Sequence, residues 1–113
     1  MQKSRAILWI NEKDNNQQDL LELSECYNRE SYFANEIVGI TEVLDHKNVR
    51  TVFINVKKLA DISTLNFISS NYNDLRIILK VNPDMEHVLS ILKQTPYEMM
   101  HDTQSIKDYA YIL

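Results

Sequence analysis

Glycine is almost missing from this sequence. Gly39 is the only one in 113 residues, which excludes a P-loop and a G-x-G-x-x-G fingerprint, since both need several glycines to bring backbone against phosphate. Cysteine is as scarce. Cys26 stands alone, so neither an internal disulfide nor a C-x-x-C metal or redox pair can form, and a small buried apolar role is expected for it. No apolar run approaches the ~18 residues that cross a bilayer, and the N-terminus carries no signal-peptide pattern. The expectation is a cytoplasmic protein with no membrane insertion. Positive charge is in deficit, with 12 Lys and Arg against 16 Asp and Glu for a net charge of −4. Nucleic-acid binding needs a basic face, and the one basic pair, Lys57-Lys58, reads as a solvated turn. No nucleic-acid partner is expected.

The sequence does contain enough apolar material for a modest core. At 44% apolar, residues 1–113 suit a single domain. Residues 6-AILWI-10 read as a buried strand, and 11-NEKDNNQQ-18 as a polar turn. In 19-DLLELSEC-26 the alternation of Leu21 and Leu23 with Glu22 and Ser24 gives a period of two, so the start of the chain reads as an antiparallel hairpin. A helix through Leu20, Leu23 and Tyr27 is the alternative. From Ser31 the period lengthens: Phe33, Ile37, Ile40 and Leu44 predict one amphipathic helix, with Gly39 explained by close packing on a sheet. Then follow a strand over 51–56, a short helix through Leu65, Ile68 and Tyr72, and a strand over 75–81. Asn82 and Pro83 start a helix that Pro96 stops, before a short strand over 97–100 and a last helix through Ile106 and Tyr109. The expected fold is α/β in the order ββαβαβαβα, a mixed sheet with helices packed against it.

His46, His87 and His101 lie far apart, and none has a His or Cys partner four residues on, so no metal is expected. No nucleophile is paired with a base. The expectation is a protein that is not an enzyme and carries no cofactor.

The block 40-ITEVLDHKNVRTVFINVKKL-59 resembles the helix-to-strand core of STAS domains, the anti-sigma factor antagonists. Asn55 and Leu59 match the polar and aliphatic positions that end the family's strand. Upstream, 20-LLELSE-25 looks like its aliphatic-Ser-Gly strand ending, with Glu25 in place of the glycine. The resemblance implies a small regulatory protein that binds a protein partner, an anti-sigma factor or similar kinase, with a homodimer left open. It also directs attention to 59-LADISTLNFISS-70, where the family carries a phosphorylated hydroxyl at a helix start. Aligned without a gap, that hydroxyl is Thr64; shifted by two residues, it is Ser63. The implied partner-binding residues are Lys57, Lys58, Asp61, Ser63, Thr64 and Asn66. The motif lacks its glycine. Without any phosphoswitch, Asp61 or Ser63 would simply cap the helix.

A second resemblance follows if residues 17–27 are helical. The order then becomes repeating βα, similar to a response-regulator receiver, with Asn55 at the phosphoacceptor position. Asn11 and Glu12 stand where that family has an acid pair, and Val81 where it has a hydroxyl. This would be a non-phosphorylatable dimerisation module. The two readings part on one point: a hairpin at the start of the chain, or a helix over 17–27 and a wholly parallel sheet.

Overall fold

The computed structural model describes residues 4–12, 14–81, 84, 97–101 and 109. In chain order the elements are β1 (Ser4–Ile10), α1 (Asp14–Cys26), β2 (Arg29–Ala34), α2 (Ile37–His46), β3 (Val49–Val56), α3 (Leu59–Asn71), β4 (Arg76–Val81) and β5 (Glu98–His101). The expected helices over 82–96 and 106–113 lie outside the described residues except for Asp84 and Tyr109. The strands form one sheet in the order β2-β1-β3-β4-β5. All four pairings are parallel; Ile10 lies level with both Ala34 and Ile54, and Val81 with His101.

The α/β class is as expected, but the ββ start and the mixed sheet are not. Residues 14–26 are a helix, and β1 pairs in parallel with a strand that begins only at Arg29. The short run Leu20-Leu21-Glu22-Leu23 fits either period, and packing decides it. Leu20 and Ser24, four apart on one helical face, are buried, while Glu22 and Glu25 are exposed. Cys26 is exposed rather than buried, because Ser24 takes the inward position. The helix ends where Asn28 adopts a left-handed backbone (φ 59°), and Asn28 N–H donates to the Glu25 carbonyl at 3.0 Å. That is an Asn in the role glycine usually fills after a helix, which suits a chain with one glycine.

The long helix expected from Ser31 is in fact two elements. Phe33 belongs to β2 and Ile37 to α2, so their spacing of four is coincidental. Ile40 does face the core, with Val43 and Leu44 packed against it. Gly39 sits over β2, where an added Cβ would meet the Ala34 methyl at 3.4 Å. That is ordinary contact, so close packing does not demand a glycine there.

Alternation along the strands gives the sheet two apolar faces. One is aliphatic, with Leu8, Ile10, Val52, Ile54, Val56, Leu79 and Val81 against Ile40 of α2 and Leu65 and Ile68 of α3. The other gathers Ile7, Trp9, Phe53, Ile78 and Tyr109 around Leu20 of α1. Trp9 is fully buried, lies 5.1 Å from Phe53 and stacks on Tyr109 at 6.0 Å. Its indole N–H donates to Ser31 Oγ at 2.9 Å, and Ser31 Oγ donates in turn to Ser24 Oγ at 2.7 Å. Burying an indole needs such an acceptor. With helices on both faces and this strand order, the fold is doubly wound. Its topological switch point lies between β1 and β3, at their carboxyl ends, where such sheets place their ligands.

Candidate functional site

The residues that follow β1 and β3 converge at that switch point. Asn11, the first residue after β1, has a left-handed backbone (φ 65°), a conformation that Asn tolerates better than most residues. Its N–H donates to the Ala34 carbonyl at 3.2 Å, tying it to the end of β2. Its side-chain amide donates to Asp61 Oδ1 at 2.7 Å and to the Asn55 carbonyl at 3.3 Å. The strained residue thereby clasps β1 to β3.

Asp61 sits in the first turn of α3 and is 5% exposed. Besides the Asn11 amide, its Oδ2 accepts the backbone N–H of Lys57 at 2.8 Å and of Lys58, the N-cap, at 3.1 Å. A carboxylate reaching back to the N-cap N–H is one half of a capping box, and negative charge at this end suits the helix dipole. Asp61 is thus not the cap residue expected from sequence: Lys58 holds that position, and Asp61 reaches back to it from within the helix. Nor does Thr64 stand at the helix start. α3 begins at Leu59, so Thr64 lies in its second turn, with its hydroxyl donating to the Ala60 carbonyl at 3.2 Å. Ser63 and Asn66 are exposed on the same helix.

Glu12 is the other buried carboxylate here, only 4% exposed. Its Oε1 accepts a long bond of 3.4 Å from the Asn16 amide, and its Oε2 is buried without a hydrogen-bond partner. Glu12, Asn11, Asn35, Glu36, Lys57, Lys58 and Asp61 together line an open cleft of about 710 Å³. Of the six residues singled out from sequence as partner-binding, Lys57, Lys58 and Asp61 reach this cleft, and Ser63, Thr64 and Asn66 do not line it. Asn35 and Glu36 were missed. They are legible only once the βα order is known, because the cleft is built from the residues just past each strand.

The rim carries unexpected apolar surface. Ile37 and Val38 open α2 at 40% and 78% exposed, and Leu59 opens α3 at 66%. Chemically, the cleft offers amides, one satisfied buried carboxylate (Asp61), one buried carboxylate with an unmet oxygen (Glu12), the exposed carboxylate of Glu36 and two lysines. Among the described residues, no group of three or more His, Cys, Asp or Glu could hold a metal ion, and no helix is long and apolar enough to cross a membrane. Comparison with family models, with characterised proteins and with solved structures finds no significant match to this chain.

Proposed function

We propose that this chain is a receiver-like regulatory module that has no phosphotransfer chemistry and works by binding protein, its partner being a second copy of itself. The helix at 14–26 and the parallel order β2-β1-β3-β4-β5 favour the receiver reading over the STAS one; a STAS domain opens on a hairpin. Asn55, the last residue but one of β3, offers an amide where a receiver has a phosphoacceptor carboxylate, and an amide is a poor nucleophile toward phosphoryl donors. The regulatory class expected from sequence is kept; the anti-sigma partner and the hydroxyl switch are not needed.

The observation that carries the proposal is the rim. Ile37, Val38 and Leu59 stand exposed beside Glu36 on one helix start and Lys57 and Lys58 on the other. A two-fold contact brings each patch against its own copy, so Lys57 and Lys58 of one subunit can face Glu36 of the other around a shared apolar centre. A standard interface takes about 800 Å² from each partner, an area that two helix starts and their loops can supply.

Sedimentation equilibrium tests this directly. The parent should self-associate, and Val38→Asp and Leu59→Asp should each weaken the dimer at least about tenfold, equivalent to ~1.4 kcal/mol. A parent that stays monomeric at the highest soluble concentration defeats the dimer reading. Incubation with acetyl phosphate and Mg²⁺ should leave the intact mass unchanged; a gain of one phosphoryl group on this chain would sink the claim that phosphotransfer is lost.

A further inference from the structure

The unsatisfied oxygen of Glu12 is the least explained polar atom in the cleft. A buried carboxylate is normally met by donors on both oxygens, yet Oε2 has none and Oε1 has only the long bond from Asn16. Lys57 and Lys58 line the same cleft and form no ion pair among the described residues, with Glu12 or with any other acid. Asp61 does not compensate for Glu12, since three N–H groups already occupy its oxygens. At the other wall, α2 starts without a side-chain cap at Glu36 and without an acid in its first turn, so its leading N–H groups are unmet by side chains. The cleft thus brings together one buried carboxylate with an unmet oxygen and two exposed lysines that, among the described residues, are not paired with it.

From this we infer that the cleft binds a small zwitterion, with an ammonium group on the Glu12 carboxylate, whose buried Oε2 turns toward the cleft as the ligand seats, and an acid group toward Lys57 and Lys58. A simple cation would be repelled by the two lysines, and a simple anion by Glu12 and Glu36. A molecule carrying both charges, as an α-amino acid does, satisfies Glu12 and the lysines together. The volume of about 710 Å³ lies in the range of small-molecule sites. Its polar lining suits such a ligand better than an apolar one.

The inference goes beyond the dimer reading and is tested apart from it, on the parent and on Val38→Asp. Amide resonances are followed by NMR while the free protein amino acids are added one at a time, with ethylamine and acetate as the two half-ligands. At least one amino acid should shift Asn11, Glu12, Lys57 and Lys58 saturably in both proteins. Ethylamine and acetate should bind at least about tenfold more weakly. Glu12→Gln should lose about tenfold or more in affinity while melting no lower than the parent, since it removes a buried charge that lacks a partner in the empty protein. The double variant Lys57→Ala, Lys58→Ala, at exposed positions, gives the same readout should Glu12→Gln fail to fold. The inference is overturned if no amino acid moves these resonances. It is equally overturned if acetate binds as well as the best amino acid, or if the variant that folds keeps parental affinity.

Discussion

Two buried carboxylates share one cleft at the carboxyl edge of the sheet, and their surroundings differ sharply. At the β3–α3 junction, Asp61 is met by the Asn11 amide and by two backbone N–H groups, all within 3.1 Å. At the β1–α1 junction, Glu12 is as deeply buried and has one bond of 3.4 Å. Burial alone therefore does not tell a structural acid from a functional one. The donor count does. A carboxylate with its lone pairs filled holds the chain in place and has little left for a ligand; one with an empty oxygen stores a cost that a ligand can relieve.

The largest expected effect removes the satisfied acid. Asp61→Ala strands the Asn11 amide and the N–H groups of Lys57 and Lys58, and it loses an acid that favours the start of α3. Each unmet buried group costs about 1–3 kcal/mol, with partial relief by water at this open edge, so a loss of about 2–4 kcal/mol is expected in urea unfolding. Asp61→Asn should fall between parent and alanine, since it keeps one acceptor. An alanine variant within about 0.5 kcal/mol of the parent would erase the contrast, because that is the scatter of ordinary surface substitutions.

Next comes the opposite sign at the other acid. Glu12→Gln keeps the shape, offers an amide and removes the charge. It should leave stability unchanged or raise it by up to about 1 kcal/mol. A loss of more than about 1 kcal/mol, measured in the same unfolding experiment, would mean that Glu12 supports the fold as Asp61 does.

How much of this could be read from the sequence follows the same division. β1, β3 and β4 are visible as apolar runs because parallel strands are buried on both faces. Lys57, Lys58 and Asp61, named through the resemblance to STAS domains, line the cleft because they follow the carboxyl end of β3. The β1–α1 junction, where Asn11 and Glu12 figure only in the alternative reading, was left out of the preferred one because α1 hides its period. Asp14 to Gln18 are weak helix formers or polar residues, and the Leu20–Leu23 run is too short to separate a period of two from 3.6. That one ambiguity turned the first crossover into a hairpin, and Glu12 into part of a turn. Ser63 and Thr64 were drawn in by a motif whose register placed the helix start too late. The true start, at Leu59, is marked by Asp61 in the third helical position rather than by a hydroxyl at the cap.

A smaller effect concerns the rim. Gly39 lies within α2 with no positive φ, and a methyl there would touch Ala34 at an ordinary 3.4 Å. Gly39→Ala should raise stability by roughly 0.5–1 kcal/mol through reduced freedom of the unfolded chain and better helix propensity. A thermal melt lower than the parent's would mean that the helix must sit closer to β2 than it does here.

The smallest effect sharpens the comparison by adding a third carboxylate, one that has donors but also has water. Arg76 on β4 donates from Nε and Nη2 to Glu98 at the start of β5, at 2.5 and 2.9 Å, and both side chains are well exposed. The bond from Arg76 holds the Glu98 carboxyl below the usual glutamate range, with slight burial working against it. A carboxyl lowered on folding adds stability that is present above its unfolded value and lost as pH falls through its lowered folded value. Glu98→Gln should therefore cost about 0.2–1 kcal/mol near neutral pH, the range for exposed pairs. The difference from the parent should close as acid protonates Glu98, and shrink at neutral pH on adding salt. If the two proteins instead differ by the same amount in acid as at neutrality, charge is not what joins β5 to β4. Asp61, shielded in the cleft with backbone donors, should by the same measurement keep most of its contribution in salt. That insensitivity would separate a buried acid that holds the fold from an exposed one that only trims it.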